Sequence, residues 1–396
     1  MTKQSALTLI LPIAGEENAA WLNKELTDIG QQLGKAPKID FSKSGLTHFA
    51  RFVILPGADA NSKAKRLLFT SNLDGDFDGY ARELIDNGIA PGIDTIFSKC
   101  EGYQSGTLLN EASATAFFNS KNIDSNAFYI ALRGATREII QQSADLREKM
   151  DHQLDNGELS NEDKVAIDRL YKDCENLRST NSCLNDPPSA TISFGAKVLG
   201  VVNDVWEWLV GVRYDGNNPE ITVETQNHLY DMEDLVTQNQ LTAVVPVKKN
   251  VFARMMLRLI LWLISIQVKS VKGTLLDLAT IHFARWVIID DGNNLLFESN
   301  FDGSWENYID DFVDHASVGM NLIWANCIGF PRGGAKDIES FKAYIRANQT
   351  PAQVFYSAYK DLTVRNILTD LSLSKKISDL TRPDGEPNFA MGYYGA

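Results

Sequence analysis

Two short segments bring together side chains that do chemistry, His48-Phe49-Ala50-Arg51 and His282-Phe283-Ala284-Arg285. An imidazole serves as a metal or haem ligand or as a general base, and a guanidinium clamps an anion or polarises a bound oxygen. Each segment is followed by a Ser-Asn-x-Asp-Gly run, which supplies Asp74 and Asp302 as carboxylates able to shuttle a proton. At the strand period of two, His48, Ala50, Phe52 and Ile54 share one face, and Phe49, Arg51, Val53 and Leu55 share the other. Either the His or the Arg is therefore expected in an apolar interior, where a buried Arg must be paired. Two readings follow. Arg51 and Arg285 pair with carboxylates and lock two halves of the chain together, or a His or Arg stands over a pocket as ligand, base or anion clamp.

His315 is a further candidate ligand. Its counterpart in the first half is Asn87, so only the second half carries an imidazole at this expected helix end. A site kept on one side would look like this, and so would a cation favoured by a helix C-terminus. His152 and His228 lie in polar surroundings and read as surface residues. Asp74-Gly75-Asp76-Phe77-Asp78-Gly79 looks like the start of an EF-hand loop, but Ile85 stands where the bidentate Glu belongs. The simpler expectation is an Asx turn at Asn72 and Asp74, a glycine-specific dihedral at Gly75, and helix caps from Asp76 and Ser304. Cys100 and Cys327 read as small buried residues, and Cys174 and Cys183 lack the second pair a zinc site needs. No metal centre is expected. Glycine-rich nucleotide loops, Gly-x-Ser-x-Gly and His-Glu-x-x-His are all missing from the sequence.

The elements that position these residues come from internal self-similarity. Thr47-His48-Phe49-Ala50-Arg51-Phe52-Val53-Ile54 is echoed by Ile281-His282-Phe283-Ala284-Arg285-Trp286-Val287-Ile288, and Leu67–Gly75 by Leu295–Gly303. The offset is 234 positions at the histidines and 228 at the aspartates, the difference falling in one loop. The echo reaches back to Leu7 and Leu241 and forward to Cys100 and Cys327, then to Phe128 and Phe355. Each copy reads strand, helix, two strands, helix, and a final strand at residues 94–103 or 321–330, which is the split βαβ order. The expected fold is α+β, with two tandem ferredoxin-like (βαββαβ) units forming an intramolecular α/β barrel. Residues 1–155 and 241–396 hold the repeats with helical extensions, and 156–240 form a central helical insert.

This element order and duplication resemble the dimeric α/β-barrel superfamily, in which dye-decolorising peroxidases and chlorite-dismutase-like haem proteins are tandem relatives. The resemblance implies a haem-dependent, peroxidase-like oxidoreductase. It implies haem iron on His315, His282 or His48, with Arg285 and Asp302, or Arg51 and Asp74, on the peroxide side. The peroxidases carry Gly-x-x-Asp-Gly near the haem; here Ser71 and Ser299 stand where the first Gly would be. The competing class is a non-catalytic binding or scaffold protein in which the same residues are structural.

Bulk composition narrows the partners. The chain has 396 residues and a net charge of −13, which argues against nucleic acid. Four cysteines make no disulfide framework, so a reducing, cytoplasmic setting is expected. The first 14 residues match an internal strand of the second copy and are not read as a signal peptide. The stretch from Phe252 to Val268 is apolar nearly all round and interrupted by Arg254 and Arg258. It falls short of a bilayer span by the usual measure of about 20 residues. Its first expected cover is the apolar insert helix at residues 192–212; a membrane surface or a second copy of the chain is the alternative.

Overall fold

The computed structural model describes residues 3–35, 37–58, 62, 64–155, 237–270 and 280–380, together with Val223, Thr225, Gln226, Leu229 and Glu233. The expected insert helix at 192–212, His228 and the tail from 381 lie outside the described residues.

The fold is α+β with two four-stranded antiparallel sheets. The strands are β1 (Gln4–Pro12), β2 (Thr47–Leu55), β3 (Arg66–Asp74), β4 (Ala127–Ile130), β5 (Gln238–Pro246), β6 (Ile281–Ile289), β7 (Asn294–Asp302) and β8 (Val354–Ser357). Their orders are β1-β3-β2-β8 and β4-β6-β7-β5. Registers repeat between the sheets: Leu7 faces Ser71 as Leu241 faces Ser299, and Ala50 faces Ser71 as Ala284 faces Ser299. The fourth strand of each sheet comes from the other half of the chain. β8 pairs with β2, and β4 pairs with β6. Among the described residues each sheet keeps two edges, and the expected closed barrel is not formed.

The described helices are α1 (Gly15–Gln31), α2 (Phe77–Asp86), α3 (Ala90–Phe97), α4 (Glu111–Lys121), α5 (Arg137–Asp155), α6 (Val251–Ser270), α7 (Trp305–Trp324), α8 (Ile338–Asn348) and α9 (Val364–Leu380). Residues 94–103 and 321–330 are therefore not strands. Pro91 opens α3, and its buried Ile93, Ile96 and Phe97 recur at helical spacing. Only Cys100 and Cys327 keep strand-like pairing, as single bridges to Ile13 and Val247. The first half breaks into α2 and α3 at Gly88, whose φ of +69° suits glycine. Ala316 stands at the matching position in the second half, and α7 runs straight through. Strand β5 begins at Gln238, inside the stretch expected to be insert. Helix α6 is longer than expected, and among the described residues its Val251–Val268 segment alone is apolar enough to cross a membrane by length and composition.

Three apolar clusters hold the fold. One lies between the first sheet and α1 to α4, around Leu9, Phe52, Phe69 and Phe97. A larger one joins the second sheet to α6, α7, α8 and α9, around Ile260, Phe297, Phe312 and Trp324. The third, built from Val53, Leu55, Leu68, Val287, Ile289 and Leu296, draws on both sheets and glues them together. The inner strands are buried on both faces, which explains their near-continuous apolar runs.

Candidate functional site

The faces expected from strict alternation fail at the two histidines. The register of β2 against β3 slips between Thr47 and Phe49, and that of β6 against β7 between Ile281 and Phe283. A bulge leaves one residue without a ladder partner and re-aims its side chain. That residue is His48 in one strand and His282 in the other. Both His48 and Arg51 consequently reach toward the opposite half, as do His282 and Arg285. The rings cross in matched pairs, His48 with Phe283 at 5.3 Å and His282 with Phe49 at 5.4 Å between centroids.

Each imidazole is held by the aspartate of its own Asp-Gly turn. His48 Nε2 lies 3.0 Å from Asp74 Oδ1, close but off the line of a hydrogen bond. His282 Nε2 lies 2.7 Å from Asp302 Oδ1 in good alignment. The second carboxylate oxygens accept backbone N–H bonds at helix starts, Asp74 from Arg137 of α5 and Asp302 from Val364 of α9, both at 2.8 Å. A carboxylate at a helix N-terminus is well placed for the positive end of the dipole. Asp74 thus bridges to another element instead of closing an Asx turn. The expected glycine geometry and caps are present: Gly75 and Gly303 have φ of +85° and +83°, while Asp76 and Ser304 cap α2 and α7.

The arginines reach into the opposite sheet. Arg51 donates to Gln240 Oε1 at 3.0 Å, the Leu241 carbonyl at 3.1 Å, Thr242 Oγ1 at 2.9 Å, the Ser299 carbonyl at 3.3 Å and Asn300 Oδ1. Arg285 mirrors it, donating to the Leu7 carbonyl at 2.8 Å, Thr8 Oγ1 at 3.0 Å, the Ser71 carbonyl at 3.2 Å and Asn72 Oδ1. Between them sits Glu298, with Oε1 3.7 Å from Arg51 Nε and Oε2 3.5 Å from Arg285 Nε. Thr70 Oγ1 donates to the same carboxylate at 3.1 Å. Burial pulls the Arg51 pKa below its usual value against the pull of Glu298. Burial also brings Arg285 down to about 10, with Glu298 opposing and Arg51 reinforcing the shift. Their Nη1 and Nη2 donors are taken up by acceptors of the chain itself, while each Nε faces Glu298.

Tyr359 breaks the symmetry of the two histidines. Its hydroxyl lies 2.9 Å from His48 Nδ1, whereas the matching position in the first half is Leu132. The Tyr359 O–H is assigned as the donor to Nδ1, which leaves the ring proton on Nε2, on the side of Asp74. Burial, followed by the charges of Asp74 and Asp302, pushes the Tyr359 phenol well above its ordinary pKa, so it stays neutral and donates. Gln238 donates to the Tyr359 carbonyl at 3.1 Å and lies 3.3 Å from His282 Nε2. His48, His282, Tyr359, Gln4, Leu132 and Phe283 line a cavity of about 10 Å³, close to the smallest space that takes one water.

The residues around His48 and His282 do not fit haem. A macrocycle needs a slot far larger than the small cavity these residues line. His315 lies on α7, and its side chain is outside the described residues. The structure therefore gathers Arg51, Arg285, Asp74, Asp302, His48 and His282 between the halves, and it ties each to neighbours. Glu298 and Tyr359 were not singled out in the sequence. Each stands where the copies diverge, Glu298 opposite Thr70 and Tyr359 opposite Leu132. No protein-family model, curated protein or solved structure matches the chain.

Proposed function

We propose that this chain is a non-catalytic binding scaffold made of two tandem ferredoxin-like units that exchange their outer strands. One observation carries the functional part. The six described residues best suited to chemistry are spent on each other, on backbone carbonyls and on helix starts, around a space no larger than a water. Catalysis needs groups poised toward a substrate, and here each points at the protein. The unit reading is supported by the matched registers and by the bridges Ile13↔Cys100 and Val247↔Cys327. These lie beside β1 and β5, where a split βαβ unit puts its last strand.

The discriminating experiment is a haem titration of the purified full-length chain, read by visible absorption and followed by a peroxide turnover assay. No Soret band and no turnover are expected. A stoichiometric Soret band that is abolished by His282→Ala or His315→Ala, together with peroxide turnover, overturns the scaffold reading.

A further inference from the structure

We propose that the outer face of α6 docks on an anionic lipid surface. This goes beyond the scaffold reading and uses a different part of the molecule, since an enzyme could dock the same way.

Helix α6 already has an inward stripe. Ala253, Leu257, Ile260 and Leu261 are buried, covering the second sheet as Ala19, Leu22, Leu26 and Ile29 of α1 cover the first. Its outward side is apolar as well. Val251 is 71% exposed, Met255 64%, Leu259 47% and Trp262 57%, at spacings of four, four and three residues that align them in one stripe. On α1, Trp21 is the one large apolar side chain left exposed. An apolar stripe of this size on a helix face marks a docking surface.

Charge selects the occupant. Between Asp234 and Asp277 the sequence carries six basic residues and no acidic one, in a chain whose net charge is −13. Lys249 and Arg258 on this stretch are exposed, and Arg254 is half-buried, donating to Asn293 Oδ1 at 2.7 Å. Arg258 packs on the Asp290–Gly292 turn, and a helix whose own charges are all cationic, with Trp, Leu and Met on one side, suits the boundary between headgroups and acyl chains. The remaining negative charge of the molecule is screened beyond about 8 Å at physiological salt, so the local cations dominate contact with acidic headgroups. A symmetric contact between two copies would set the same cations against each other, which disfavours a second chain as the occupant.

Vesicle flotation of the full chain tests this, with phosphatidylcholine alone and with added phosphatidylglycerol. Flotation is expected only with the anionic lipid, falling at least about tenfold in high salt and in Lys249→Gln/Arg258→Gln. Leu259→Asn/Trp262→Asn is expected to abolish it with an unchanged melting temperature and elution volume. The proposal is overturned if the wild type does not float, or if it floats equally on neutral vesicles. It is also overturned if the Asn variant melts well below wild type, which would mark an internal cover, or if it turns a dimer into a monomer. The haem titration reads independently of every one of these outcomes.

Discussion

Replacing Glu298 by glutamine removes the charge from a carboxylate that is 2% exposed and shared by two buried guanidinium groups. The amide keeps the size of the side chain and its contact with Thr70, so little changes sterically. At an effective dielectric constant of about 20, a unit charge at 3.5 Å is worth roughly 4–5 kcal/mol per guanidinium before desolvation is subtracted. Breaking one buried ion pair by removing a single partner typically costs about 3–5 kcal/mol. Glu298→Gln should therefore lose about 3–5 kcal/mol in equilibrium denaturant unfolding, because Arg51 and Arg285 retain their neutral acceptors but lose their anion. The same substitution in an Arg285→Met background should cost less than half as much, since one of the two cations has gone. A cost below about 1 kcal/mol in the wild-type background, or an equal cost in both backgrounds, would show that Glu298 does not hold the arginines together.

Asp370 is buried beside Arg147 of α5, and burial raises its pKa to about 6 despite that partner. A carboxyl raised in the folded state contributes stability that is complete below its unfolded pKa and is lost as pH climbs through about 6. Wild type should thus gain about 1–2 kcal/mol on going from pH 7 to pH 5 relative to Asp370→Asn, measured by paired urea titrations; a parallel response of the two proteins counts against it. At Gly30 of α1 an added Cβ would sit 2.2 Å from the Gln353 carbonyl, on the chain entering β8. Gly30→Ala should cost about 1–3 kcal/mol and speed hydrogen exchange in β8, and an unchanged exchange rate there refutes the contact. Burial pushes the Cys100 and Cys327 thiols up to about 12. Both should resist a thiol reagent at pH 8 until denaturant is added, as mapped by mass spectrometry, and native labelling of either would contradict their burial.

The long strands were legible because their signal is local. Apolar runs bounded by turns pointed to β2, β3, β6 and β7, and the Asp-Gly turns with their caps followed from backbone chemistry. Two things were hidden by their nature. Residues 94–103 and 321–330 are short segments, which periodicity cannot assign when helix and strand both fit, and in the first copy Pro91 is the arbiter. The exchange of β4 and β8 depends on contacts hundreds of positions apart, which no local pattern encodes. At the site, pairing of the arginines was foreseeable from the cost of burying a cation, and the strand segments named most of the participants. The bulges moved His48 and His282 off their expected face, because an irregular register is a property of two strands together.

The exchanged strands also bear on how the chain is made. Strand β2 leaves the ribosome with one edge unsatisfied, and its neighbour β8 follows roughly 300 residues later, a delay of ~15–60 s at ordinary rates of translation. Throughout that interval an apolar edge is open to pairing with any passing strand. Strand β4 must likewise wait for β6, and the edge of β2 stays vacant longer still, until β8 emerges. Each half on its own lacks the fourth strand of its sheet. Sequence separations of this size predict slow folding, and at high concentration the vacant edges invite strands from a second nascent chain, giving intertwined dimers in place of monomers.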